Sequence, residues 1–549
     1  MSARRWLRTA LVASVACAAG APLAYYDHTA QYEETAAVAA RFPDPPGPLA
    51  TPGFKSNRVD FTSHPEILKF LDDLAKRAPD MRVLTAGRSI ADRSIPLVVF
   101  AHPPAANGAA LRANGKPTLL VIAGQHGDEP AGGEAALVLA QQLASPRGAL
   151  LDRVNVLIVP RANPDGAFDW KRGLENGGDV DRDHLLQWSP EGRALGRAFA
   201  DYEPAVVVDS REFGVKLPWL EKFGALQRYD VMLQCATVPN LAPGIATACE
   251  TLFRAPLAQA YEAAGYAPSW HYDTSYDVGD LKVSMGSVLP DTGCNVAGLR
   301  GAISLRVASR GAGIGRAHFR RRVETHLLAL NAALDATARH ADEIKAAVQR
   351  ARNDVVAAAG KGEFVVAGAA TAGRQSLVML DPVTGADKTV EVDWMSALEI
   401  RPLRSRARPY GYLLPASQLS AAMRLAHLGV AVRRVERDGA VELERYRIAR
   451  ATVAKKSGVR ANDGESPIRA VNLEVAVERL AGSVKAGDFY VPLDQPLGNV
   501  VVAALEPDAE SSYAANYVLA YPGPREPRLV PVYRLVAPFD LPSGPWSPP

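Results

Sequence analysis

The sequence predicts an α/β fold: a mixed, mainly parallel sheet sandwiched by helices, followed by a smaller C-terminal α/β accessory region. Two observations carry this prediction. The short apolar runs Thr118 to Ala123, Val154 to Val159 and Ala205 to Val208 read as strands buried on both faces. Helical stretches lie between several of them, for example Gly133 to Ala144 and Glu191 to Ala200, and a β-α-β order builds parallel sheets.

The remaining elements follow in chain order. Residues 1–24 begin with Arg4, Arg5 and Arg8 and continue as an uncharged, alanine-rich stretch, the layout of a secretory signal. Ala19-Gly20-Ala21 fits small-x-small cleavage, Cys17 leaves a lipid anchor open, and the length leaves an uncleaved membrane anchor open. The chain is therefore expected to be exported, periplasmic or extracellular. Residues 25–55 read as an exposed, Pro-rich linker. Ser63 and Glu66 form a capping box that starts a helix carrying Ile67, Leu68, Leu71 and Leu74. This opens the main domain, residues 56–350. Ile95 to Phe100 reads as a strand, although Pro96 removes one ladder donor. Ala302 to Val307 adds another strand, and a long helix spans roughly Arg316 to Arg350. Residues 360–549 form the accessory region: strands at Glu363 to Ala367 and Lys388 to Val392 around the turn Asp381 to Gly385, then a helix at Ser417 to Leu428.

Composition excludes some functions. The chain of 549 residues has 62 Lys and Arg against 59 Asp and Glu, so bulk charge gives no reason to expect a nucleic-acid partner. Four cysteines, Cys17, Cys235, Cys249 and Cys294, do not have zinc-site spacing. Without the N-terminal segment they permit at most one disulfide within the chain, and an oxidising compartment allows Cys235 with Cys249.

Four segments at strand ends carry polar residues, where open α/β sheets place function. Gly124 to Pro130 contains His126 and Glu129, an H-x-x-E pair able to offer an imidazole and a carboxylate to one zinc ion. His340 and Glu343 repeat the spacing on the long helix and read as a solvated face. Arg161 to Gly166 is strong turn chemistry. Lys171-Arg172 and Asp179 to His184 supply guanidiniums suited to a carboxylate. Asp209 to Phe213 follows the strand Ala205 to Val208.

In this order and spacing, residues of about 60 to 345 resemble the zinc carboxypeptidase family, closest to an exported bacterial branch with a C-terminal extension. The resemblance implies a mixed eight-stranded sheet, a zinc cofactor and a peptide substrate with a free C-terminal carboxylate. It implies His126 and Glu129 as zinc ligands. Asp181-Arg182 takes the family's Asn-Arg place that holds the terminal carboxylate. Arg172, or Lys171, takes the place of the arginine that steadies the oxyanion. Two positions depart from the pattern. Arg211 stands where the third zinc ligand is a His, and a guanidinium has no lone pair to offer. Ala308 stands where the general base is a Glu, and it cannot take a proton. Glu212, Asp209, His184 and His271 are the alternative donors. Two readings stay open: a metallocarboxypeptidase with a degraded site, and an inactive pseudo-peptidase that binds peptide C-terminal carboxylates. Tyr272 and Tyr276 read as a packed aromatic pair, with a place in the substrate pocket as the other option.

Overall fold

Alternation of side chains along a strand sends successive residues to opposite faces, so a strand apolar throughout must be covered on both sides. The computed structural model, which describes residues 26–105, 107–145, 148–454, 470–521 and 528–548, meets that requirement with eight strands. The chain lays down β1 (Met81–Arg88), β2 (Ser94–Phe100), β3 (Thr118–Ala123), β4 (Asn155–Val159), β5 (Val206–Gly214), β6 (Val231–Cys235) and β7 (Pro268–Trp270). Two short strands, β8 (Asp273–Thr274) and β9 (Lys282–Ser284), precede β10 (Ile303–Ala312). The main sheet has the order β1-β2-β4-β3-β5-β10-β6-β7. Its centre, β4-β3-β5-β10, is parallel, β1 and β2 pair antiparallel with their neighbours, and β6 pairs antiparallel with β10 and parallel with β7.

One face of this sheet presents Leu119, Val121, Val206, Val208, Leu305 and Val307 to the helices Pro130–Leu143 and Phe319–Arg339. The other presents Leu120, Ile122, Leu157, Val159 and Val207 to Pro190–Tyr202. Each such buried aliphatic side chain contributes about 1.5–3 kcal/mol. Pro96 is accommodated inside β2 because its partner β1 is irregular between Thr85 and Gly87. The capping box holds: the Ser63 hydroxyl accepts from the Glu66 N–H, and the Glu66 carboxylate accepts from the Ser63 N–H.

Several expectations are corrected. The long helix is two, Phe319–Arg339 and Ala341–Ala357, divided at His340, whose ψ of 24° leaves the helical range. The exposed face is as expected there, with His340 paired to Glu343 at 3.2 Å. Asp209 to Phe213 lies within β5, not in a loop after it, because β10 continues alongside and pairs Ala308 with Arg211. The segment from 26 to 55, expected as an exposed linker, packs on the domain. Val38 and Phe42 are buried, Glu34 forms ion pairs with Arg310 and His318 at 2.6 and 2.9 Å, and Tyr26 packs edge-on against Trp170. The segment 1–24 lies outside the described residues, and no described helix is long and apolar enough to cross a membrane.

The accessory region is dominated by antiparallel sheet rather than alternating α/β. A long hairpin, β11 (Glu363–Leu380) and β12 (Asp387–Ala407), turns where the Asp381 carboxylate accepts from the Val383 and Thr384 N–H groups, and β12 pairs with β9 of the main domain. A further seven-stranded sheet follows, packed against the helices Leu419–His427 and Gly498–Leu505. Leu185, Val296 and Leu299 of the main domain enter the same apolar cluster, so this region is seated on the domain. The Cys235–Cys249 disulfide is formed, and Cys294 is a buried free thiol.

Candidate functional site

The parallel strands β3 and β5 run side by side, and the carboxyl end of β3 and the last residues of β5 bring the separate polar segments together. Gly124 turns the chain with φ +62°, and its absent side chain leaves room for Arg161 Cα, 3.1 Å from where a Cβ would sit. The following loop buries His126 and Glu129 almost completely. Opposite them β5 presents Arg211, and β10 presents Arg306.

His126 is flanked by two carboxylates. Nδ1 lies 2.6 Å from Glu129 and Nε2 lies 3.0 Å from Asp179. Burial and the nearby Arg172 and Arg211 push its pKa down, but Glu129 and Asp179 more than reverse this, and the net shift is upward. Burial alone would raise the Glu129 pKa, yet His126 and Arg211 bring it to about 2. Both ring nitrogens thus face carboxylates.

Arg211 lies directly on this pair. Its Nη2 is 2.6 and 2.7 Å from the two ring nitrogens of His126, and its Nε is 3.2 Å from Glu129. Nη1 faces Asp181 at 3.4 Å and Asp209 at 3.9 Å. Burial opposes the Arg211 charge, but Asp181, Glu129 and Asp209 hold it firmly protonated. Arg211 and His126 thus lie together among four carboxylates, Glu129, Asp179, Asp181 and Asp209.

Asp181 does not stand as an uncompensated charge. It accepts from Arg306 at 3.0 Å and faces Arg211, which hold its carboxyl well below the usual range despite burial. Arg182 reaches Asp291 at 3.5 Å, and Arg172, 45% exposed, faces Asp179 at 3.4 Å. Ala308 is buried in an apolar cluster with Phe213, Met232 and Tyr272. Of the alternative donors, Glu212 is committed to Arg322 and to the Ala131 N–H, Asp209 to Gln125 and Arg306, and His184 to Gln125. Tyr272 is buried with its hydroxyl on Gln227, while Tyr276 lines the cavity and is 54% exposed.

These groups surround a cavity of about 140 Å³ that also reaches Asp128, Leu217, His271 and Gly286. Arg306, Asp179 and Asp128 carry no signal of their own in the sequence. Each lies inside a strand or strand-end segment that the sequence marks, but only folding shows which groups they meet. Asp128 has a buried Oδ1 without a hydrogen-bond partner among the described residues, and burial together with Glu129 raises its pKa.

The Peptidase_M14 zinc carboxypeptidase family matches residues 67–201. Carboxypeptidase 2 of Trichophyton rubrum is 26% identical over 517 residues, covering 89% of this chain and 92% of its own. Carboxypeptidase 2 of Trichophyton equinum is 26% identical over 411 residues, 72% of this chain and 73% of its own. Among solved structures, a metallo-carboxypeptidase of Pseudomonas aeruginosa is 17% identical, covers 51% of this chain and 70% of its own, and has a TM-score of 0.38. Carboxypeptidase A of Helicoverpa armigera is 16% identical, with 51% and 74% covered and a TM-score of 0.39.

That family implies zinc. The donor set in this chain does not fit it. Both nitrogens of His126 are committed to carboxylates, and the third position holds a cation. Among the described residues no group of three His, Cys, Asp or Glu side chains could hold a metal ion.

Proposed function

We propose, for a chain that carries a zinc carboxypeptidase domain, that its pocket binds the C-terminal carboxylate of peptides without a metal and without ordinary hydrolysis. The observation that carries this reading is Arg211 seated on the His126–Glu129 pair, where a fixed guanidinium supplies positive charge at the expected metal position. Arg172 and Arg182 line the same cavity, and guanidiniums suit bidentate capture of a carboxylate. Asp181 is neutralised by Arg306 and Arg211, so it does not repel such a ligand. The Cys235–Cys249 disulfide supports placement in an oxidising, exported setting.

Titration calorimetry with a short peptide and its C-terminally amidated form tests this. Binding of the free acid, lost on amidation and weakened by Arg182→Ala or Arg172→Ala, is expected. Equal binding of both forms would overturn the reading. A second reading, retained hydrolysis, is favoured by Asp128, a cavity carboxyl with an upward-shifted pKa able to act as a base. Peptide turnover that disappears in Asp128→Asn would support it instead.

A further inference from the structure

The turn between β8 and β9 supplies Asp273 and Tyr276 to the wall of the main cavity. β8 and β9 share two residue pairs, too short a ladder to hold a turn by itself. Lys222, on the helix Trp219–Phe223, reaches this turn from behind. Its ammonium donates to the Thr274 hydroxyl at 2.9 Å, the Ser275 hydroxyl at 3.1 Å and the Asp280 carbonyl at 2.5 Å. An ammonium has three N–H groups, so one cation ties three points of the turn. Both hydroxyls are fixed in turn: Thr274 donates to the Lys282 carbonyl at 2.6 Å, and Ser275 to the Asp280 carboxylate at 3.1 Å. Thr274 and Ser275 are buried at the root of the turn, whereas Val278 at its tip is 53% exposed. The accessory hairpin meets the same turn by two routes. β12 pairs with β9, Asp393 with Lys282 and Trp394 with Val283. Lys388 of β12 donates to the Phe223 and Gly224 carbonyls at 3.0 and 2.9 Å, groups left open where the helix that carries Lys222 ends.

We propose that the accessory hairpin β11–β12 is a brace for the ligand cavity. Through β9, and through a relay from Lys388 to the helix Trp219–Phe223 to Lys222, it holds the turn that carries Asp273 and Tyr276. Lys222 and Lys388 are positioning residues and act from behind the cavity wall. A wall fixed before the ligand arrives needs no ordering when it binds, so a bound ligand leaves slowly. Loosening either lysine frees the turn, and the effect falls on dissociation more than on association. The hold on the turn is independent of what the cavity binds. Its consequence for a ligand rests on the reading above, in which a terminal carboxylate is anchored in the main cavity.

Hydrogen exchange of the full chain, read by mass spectrometry for Lys222→Met, Lys388→Met and the native protein, tests the brace. Amides of residues 273–284 are expected to exchange about tenfold faster in Lys222→Met, from loss of a charged donor to three oxygens. They should also exchange faster in Lys388→Met, although Lys388 bonds to the helix end rather than to the turn. Exchange in β3, β5 and β10 should stay unchanged. The ligand arm uses surface plasmon resonance with an alanine tetrapeptide tethered through its N-terminus and ending in a free carboxylate. Dissociation should quicken in the same order, Lys222→Met more than Lys388→Met, with association unchanged. Unchanged exchange of the turn in both variants, or a rise spread evenly over the chain, would overturn the brace. A local rise with unchanged dissociation would overturn its part in ligand binding. If Lys222→Met does not fold, Lys388→Met decides the same question alone. No binding of the free acid by the native chain would defeat the carboxylate anchor and the consequence for a ligand, while the exchange arm still decides the brace.

Discussion

Replacing Arg211 by Met removes the guanidinium while keeping much of the side-chain length. In the native protein Arg211 lies 3.2 Å from Glu129 and 3.4 Å from Asp181. At an effective dielectric of about 20, each such pair interacts by about 5 kcal/mol. The cost of burying the guanidinium offsets most of this. What remains is set by the carboxylates left behind, since breaking a buried pair costs about 3–5 kcal/mol. Asp181 keeps Arg306, and Glu129 keeps His126 and the Glu212 N–H at 3.0 Å, so the loss falls toward the lower end, about 3 kcal/mol. Urea unfolding at pH 7, with Arg211→Met compared with wild type at constant slope, measures it. A loss below about 1 kcal/mol would refute the idea that Arg211 is the charge on which the four carboxylates depend.

Three further outcomes are expected. Arg211→His removes the competing cation and offers an imidazole beside His126 and Glu129. It should take up about one zinc per chain and gain thermal stability with added zinc, which elemental mass spectrometry and calorimetry would detect. The Glu34 carboxyl would be raised by burial, but His318 and Arg310 bring it from 4.5 to about 2. A depressed acid stabilises above its unfolded value and loses that contribution as pH falls, so the stability difference between wild type and Glu34→Gln should be about 3 kcal/mol at pH 7 and vanish as pH drops from about 4.5 to 2. Reducing or deleting the Cys235–Cys249 disulfide, which spans 14 residues, should cost about 3 kcal/mol in denaturant unfolding.

Much of the main domain was legible because its strands are apolar on both faces and its helices begin with readable caps, as at Ser63 and Glu66. Less legible were elements whose signal is tertiary. The polar run Asp209 to Phe213 has no strand signature, and it becomes strand because β10 pairs along it, β3 pairs with Asp209 and Ser210, and neighbouring carboxylates absorb the Arg211 charge. The Pro-rich segment near residue 45 reads as linker, yet Glu34 and Phe42 meet groups on Arg310 and His318 more than 260 residues away. The Cys235–Cys249 pair was permitted by count and compartment, and needed the fold to bring it together. At the site, motif order supplied His126, Glu129, Arg172, Arg182 and Arg211. It could not show that Asp181 faces Arg306, or that His126 has both nitrogens engaged.

The most direct test of the metal-free carboxylate site is one paired measurement on a single preparation purified without chelator and then given zinc. Zinc content is read by elemental mass spectrometry, and affinity by calorimetry with a free-acid peptide. The account predicts no stoichiometric zinc and binding that requires the free carboxylate. About one zinc per chain, accompanied by loss of the peptide's C-terminal residue, would contradict it.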